Sequence, residues 1–594
     1  MITRTASAAV LSAVGLALLA SAGACGQDRG GYDTPPIVFV PPPPAEDAGE
    51  CPLQCSLDGS SVVRSCTGEV VETCPPKLAC GAARCQEPCA AAAADQSSNG
   101  CEFYFQSPPG WSENPDPCYA AFVVNTSRQP ASISLDREGK DLDISQSMFR
   151  TTPGDATLIE HTGTIAPGES VILFLSDHDP NLPVSGRVRT TCPPGVVPAV
   201  LSGLSSRTTG LGSSFHLKAS NPVSLVSMYP FGGAKSFIST ATLLLPIVNW
   251  TKQNIIVNPW EATAPAGVPF TQIVASEDDT EVTILPTREI QNGLGVKGSP
   301  AKVPATYRLD RGQHLQFVQD DELSGSIITS NKPTTVFGGH TCAFVPRNSR
   351  ACDTLGQQIP AFEQWGAEYV AVGYRPRVGN EHEAMPYRIV AARDGTRLDY
   401  DPAIPAGAPT EMSAGEVVTF PAGVGDAFVV RTQDADHPIY LAAYMTSAGG
   451  AYFGSPSYGG RGDPEFVNVV PTGQYLNSYS FYADPTYDET SLVIVRAKSH
   501  GSFKDVWLEC AGNLTDFRPI GTRGEYEFTR VDLSRDRGPG QTFGDKTCQT
   551  GLHRMKSEGP FTATLWGWAA YCSYAYPGGM AHRKLVTTPL DPIQ

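Results

Sequence analysis

Sixteen cysteines are the residues best able to do chemistry in this chain of 594. Nine of them, Cys51, Cys55, Cys66, Cys74, Cys80, Cys85, Cys89, Cys101 and Cys118, crowd into the stretch 51–118. Thiols at this density either pair with one another or hold a metal. Cys51-x3-Cys55 and Cys85-x3-Cys89 have a loosely zinc-like spacing. No histidine precedes His161, however, and thiols of an exported chain oxidise, so a disulfide framework is the stronger reading. Downstream, Cys342 with Cys352 could close one loop and Cys510 with Cys548 another, while Cys192 and Cys572 have no obvious partner. Spacing leaves the connectivity open.

Other constellations are weaker. Asp177-His178-Asp179-Pro180-Asn181 sets Asp177, Asp179 and Asn181 at alternate positions, a loose calcium candidate. An EF-hand would need Gly at Leu182 and Glu at Val188. Glu381-His382-Glu383 reads first as a polar loop, His340 beside Cys342 as a buried or capping histidine, and Glu277-Asp278-Asp279 as a solvated turn. Arg461-Gly462-Asp463 matches the integrin-recognition tripeptide but follows Gly459-Gly460 in a loop, where tripeptides arise by chance. Trp566, Trp568, Tyr571, Tyr574 and Tyr576 crowd around Cys572, either as core or as a ligand-stacking face. There is no G-x-S-x-G elbow, no H-E-x-x-H helix and no phosphate-cradling glycine loop. The expectation is therefore a chain that is not an enzyme and needs no cofactor, calcium being the one candidate.

The N-terminus addresses the compartment. Arg4, then an apolar run over 8–22, then Ala22-Gly23-Ala24 before Cys25, reads as a signal peptide over 1–25, too short to span a bilayer comfortably. Ala22-x-Ala24 fits ordinary secretory cleavage. Small residues directly before Cys25 also fit a bacterial lipobox, with Cys25 as the lipidated residue and Gly26 favouring the outer membrane. The chain is thus expected to be exported, as an outer-membrane lipoprotein facing the cell surface or periplasm, otherwise secreted. Removing Cys25 leaves fifteen cysteines, so one must stay free or pair between chains. A net charge of −17, with no cluster of Lys and Arg, argues against nucleic acid.

Fifty-eight Gly and 51 Pro punctuate short runs of Val, Ile, Thr, Tyr and Phe, the pattern of strands and turns. Residues 26–50, with Pro41-Pro42-Pro43-Pro44, form an extended linker. Residues 51–90 form a cysteine-rich module whose disulfides must replace a core, and Ala90 to Ala94 mark a joint. From about 97 to 590 three features recur in order. The first is an apolar strand through an acidic turn, as at Ile273 and Ile389. The second is a glycine turn, at Gly168, Gly312 and Gly415. The third is a polar–Pro turn into a strand, Ser220-Asn221-Pro222, Ser330-Asn331-Lys332-Pro333 and Asp436-His437-Pro438. These mark repeats of about 97–240, 260–350, 365–450 and 470–590. The fold expected is all-β: tandem β-sandwich-like units, with propeller-like closure as the alternative.

Cys101-Glu102-Phe103-Tyr104, Cys118 through Ser127, Gly325 through His340, and Gln357-Gln358-Ile359-Pro360 before Trp365-Gly366 resemble phrases of the IgGFc-binding protein N-terminal domain family. The resemblance covers about 97–590 and implies a non-catalytic cell-surface binding or adhesion protein. Its implied partner is an extracellular protein or glycan, with the membrane reached through the lipid. A structural envelope lipoprotein and a secreted hydrolase are the alternatives.

Overall fold

Where the sequence breaks its apolar runs with Gly and Pro, the chain turns; between the breaks it forms strands almost throughout. The computed structural model describes residues 51–593, apart from 112–113, 115, 183–189, 203–206, 234–235, 264–266 and 450–457. The signal segment, Cys25, the proline-rich linker and Val188 lie outside the described residues.

The cysteine-rich module pairs Leu53–Cys55, Ser61–Arg64 and Val70–Thr73 in one sheet, with Gly68 taking the positive φ of the hairpin turn. Its apolar centre holds little more than Val62, Cys74 and Cys80, so three cross-links stabilise it: Cys51–Cys66, Cys55–Cys80 and Cys74–Cys85. The alanine joint is a short helix, Pro88–Asp95, with proline in its first turn, where a missing N–H does no harm. Cys89–Cys101 fastens it to the next strand.

Four successive stretches, 100–244, 251–359, 368–468 and 476–577, then repeat one topology. In the second, the first half of the long strand Ile327–Ala343 pairs with Thr251–Ile255 and Thr280–Leu285. Its second half pairs with Pro269–Ala275 and Asp353–Ile359. Phe215–Tyr229 and Gly551–Ala569 play the same part in the first and fourth units. In the third the long strand is broken into Phe428–Thr432 and Ile439–Met445, giving two separate four-stranded sheets around Tyr387, Ile389, Phe420 and Leu441. The first, second and fourth units are therefore sandwiches whose layers share one strand, and the third is a sandwich of two separate sheets.

The polar–Pro segments differ from the turns expected of them. In the first, second and fourth units the register jumps so that 219–222, 330–333 and 557–560 bulge within the long strand. Proline has no N–H for the ladder, so the strand bends there and passes from one layer to the other. Only Asp436-His437-Pro438 interrupts the strand altogether.

The last strand of each unit faces a common centre. Thr240–Leu244 lies against Asp353–Ile359 and Cys572–Pro577, and Glu465–Asn468 lies against the same two, so the four make a ring. Short 3-10 turns at the unit joints, Ile247–Asn249, Phe362–Gln364 and Thr472–Gln474, each end in an amide followed by an aromatic residue. These amides form a belt. Asn249 Nδ2 donates to Ser97 O at 2.6 Å, Gln364 Nε2 to Asn249 O at 2.8 Å and Gln474 Nε2 to Gln364 O at 3.1 Å. Ala581 N donates to Gln474 O at 2.9 Å and bridges back to Ser97, which joins the two ends of the ring.

Candidate functional site

Between the third and fourth units lies an open cleft of about 680 Å³, lined among others by Arg375, Arg377, Arg461, Glu489, Arg535 and Asp536. Arg375 and Arg377 stand on the segment that follows Glu368–Ala371, and Arg461 on the loop before Glu465–Asn468. Glu489 opens a strand of the fourth unit, and Arg535 ends another.

The floor is rigid. Arg375 bonds Glu489 and, at 2.6 Å, Asp532, and its guanidinium lies 4.9 Å from the Trp568 ring. Arg377 is fully buried with Glu383, whose Oε1 accepts from Nε at 2.5 Å. Its remaining N–H groups donate to Thr446 O, Thr446 Oγ1 and Arg461 O, and it stacks 3.8 Å from the Tyr458 ring centre. The rim is looser. Arg461 is half exposed, and its ion pairs to Glu489 and Asp536 are long, at 3.5 and 3.7 Å. Arg535 is likewise exposed, with one contact to Asp532 at 3.1 Å. Two adaptable guanidinium groups over a fixed floor can grip a carboxylate or sulfate of an incoming ligand.

Arg461-Gly462-Asp463 runs from this rim to the interior. Asp463 is 1% exposed and accepts from Ala448 N at 2.9 Å, so the tripeptide cannot present its carboxylate to a receptor. Burial pushes the Asp463 carboxyl up to about 7, against the pull of the Ala448 amide and the Arg377 guanidinium. Asp353, Glu465 and the thiol of Cys572 lie further in, at the centre of the ring, and burial raises the pKa of all three.

The residues singled out by type and spacing fall as follows. Cys342 pairs with Cys352 and Cys510 with Cys548. Cys118 pairs with Cys192, which spacing had left without a partner; the two stand 74 residues apart and are brought together by the fold. Cys572 is the free, buried thiol among the described residues. Asp177 Oδ2 accepts from Cys192 N at 2.8 Å, and Asp179 Oδ1 from Asn181 N and Nδ2 at 2.9 and 3.0 Å, so both carboxylates serve local turns. Among the described residues no three His, Cys, Asp or Glu side chains converge tightly enough to hold a metal by themselves. Glu381 and Glu383 separate: Glu381 reaches Arg530 at the cleft and Glu383 neutralises Arg377. His340 is buried, bonded to Glu261 O and the Cys342 amide. Trp566, Trp568, Tyr574 and Tyr576 are core, and only Tyr571 is exposed. Arg375, Arg377 and Arg535 were not singled out, because single arginines scattered over more than a hundred residues carry no spacing signal.

The human IgGFc-binding protein is 25% identical over 272 residues, which is 45% of this chain and 4% of that protein's length. The chain thus matches a small part of that relative. Among solved structures, an anti-sigma factor domain-containing protein aligns with 33% of this chain and 78% of its own at 11% identity. Its TM-score of 0.10 carries no argument. A family model described as IgGFc binding protein matches residues 240–567, from the closing strand of the first unit into the long strand of the fourth. That stretch holds the second and third sandwiches whole, the fourth up to its long strand, and the residues that line the cleft, and the chain belongs to the IgGFc-binding protein family.

Proposed function

We propose that the chain is a non-catalytic binding protein that works outside the cytoplasm and recognises a protein or glycoconjugate at the arginine-rimmed cleft. Family membership carries the reading: the human relative is by its name a binder of the Fc part of immunoglobulin G. The cleft supplies the chemistry, with exposed guanidinium groups able to make paired hydrogen bonds to anionic groups.

Seven disulfides belong in an oxidising compartment, which supports export. Fourteen cysteines pair and Cys572 is buried, which leaves Cys25 as the remaining thiol of sixteen and the one available for acylation. A lipid there would tether the ring to an outer membrane through the proline-rich linker, with adhesion as the outcome.

The test is equilibrium binding of the oxidised chain to IgG Fc, mucin-type glycoproteins and bacterial envelope fractions. Saturable binding to one of them, weakened by Arg461→Ala and by Arg535→Ala, is expected. Absence of saturable binding to all three overturns the reading and leaves a structural envelope role.

A further inference from the structure

The ring gathers oxygen atoms at its centre. Thr240, Asp353 and Glu465 each begin the closing strand of a different unit. Gln357 ties the centre together: its Nε2 donates to Ala241 O at 2.8 Å, Phe466 O at 3.0 Å and Ala575 O at 3.3 Å, one carbonyl from each of the other closing strands. Asp353, Gln357 and Glu465 are all 0% exposed.

Their acceptors are not used up. Glu465 Oε1 accepts from Phe466 N at 2.9 Å and Thr240 Oγ1 at 3.1 Å, whereas Oε2 has no hydrogen bond of full geometry, although the Ala241 and Ala575 N–H groups face the carboxyl. Gln357 Oε1 has none either. Neither oxygen of Asp353 has a hydrogen bond of full geometry, although the Ser573 N–H faces the carboxyl. Asp353 feels the charges of Asp463 and Glu465, and Arg377, whose charge acts on Asp463, is already committed to Glu383. Carboxylates of one sign, sealed from water with orphan oxygens, require either protons or a cation.

We propose that a calcium ion binds at the centre of the ring, held by Asp353 and Glu465 with neutral oxygens of the closing strands completing its shell. The donors are hard oxygens, and calcium accepts many neutral ones at variable geometry, so two carboxylates suffice where a zinc cage would need three strong ligands. Magnesium, which keeps its waters and demands a regular octahedron, fits a dry centre poorly. Because the ligands come from different units, the ion cross-links the ring non-covalently. This site is separate from the cleft and does not depend on what the cleft binds.

The full oxidised chain, purified with calcium, is passed into calcium-free buffer, and its metal content and Tm are measured before and after warming with EGTA. One equivalent of calcium should be retained, the Tm should fall when EGTA removes it, and calcium should restore it. Asp353→Asn and Glu465→Gln should each weaken calcium binding by a factor on the order of 100 and abolish the calcium-dependent Tm shift. Asp179→Asn, in the loop outside the ring centre, should leave both unchanged. Absence of retained calcium with a Tm indifferent to EGTA overturns the proposal and assigns protons to Asp353 and Glu465. Calcium lost in Asp179→Asn but kept in Asp353→Asn overturns it as well. Should either central variant fail to fold, the metal content and EGTA response of the unaltered chain decide.

Discussion

Arg377 and Glu383 are both 0% exposed at the side chain, and a pair so deep gains little over an apolar pair of the same shape. Losing one member is different, because the other is left charged and sealed from water. Arg377→Ala is therefore expected to destabilise the fold by about 3–5 kcal/mol, read from the denaturant midpoint. The double change Arg377→Leu with Glu383→Leu should recover most of that loss. Arg461 sits above the pair and is 49% exposed with long ion pairs. Arg461→Ala is expected to change stability by no more than about 1 kcal/mol while weakening ligand capture, so the two arginines separate fold from binding. Little of this was legible in the sequence. Glu383 was read as part of a polar loop beside His382, and Asp463 as the end of a chance tripeptide in a glycine loop. Local spacing reports what neighbours along one strand or loop can do. The partners that define both residues come from 6 to 110 positions away along the chain.

Strands and turns were more legible than sites, because their chemistry is local. Gly168, Gly312 and Gly415 do adopt positive φ at the turns assigned to them, as a residue without Cβ can at no steric cost. The bulged prolines misled for a reason at the same scale: a proline that ends a strand and one that bends it look alike until the neighbouring strand is in place. Cys118 and Cys192 illustrate the limit again, since only the pairing of Tyr119–Asn125 with Ser170–His178 brings their ends together. Loop length gives these cross-links different weights. Opening Cys118–Cys192, with a separation of 74, removes a larger restriction on the unfolded chain than opening Cys342–Cys352, with a separation of 10. By chain entropy the losses are about 4.5 and about 3 kcal/mol. The paired alanine variants, compared by denaturant midpoint under non-reducing conditions, should rank in that order; the reverse order would mean that local packing, not chain entropy, sets their worth.

At the scale of the whole molecule, buried titratable groups set the response to acid. Burial holds His314, His340 and His582 down to about 3 and His553 down to about 4, with Arg137 adding to the effect on His314. In the unfolded chain they take up protons near pH 6.5, so as pH falls below that value four protons favour unfolding and stability is lost. Burial works in the opposite sense on Asp463 and Asp484, raised to about 7 and about 6. They keep protons in the folded chain that the unfolded chain has released, so their contribution is fully present below about pH 4 and is lost as pH rises toward 6 or 7. Between about pH 4.5 and 6 the histidines outnumber these carboxyls, and stability should fall on acidification by roughly 3 kcal/mol per pH unit. That slope assumes calcium at the centre, where Asp353 and Glu465 are ionised in both states and drop out of the balance. In EGTA the same two groups, raised well above their usual range by burial, would carry protons in the folded chain and oppose the histidines. Urea unfolding across this window should therefore give a steep profile with calcium and a nearly flat one without it. His582, whose Nδ1 lies 3.1 Å from Gln364 Oε1 of the belt, is one of the four buried histidines, so His582→Gln should reduce the slope by one proton in calcium.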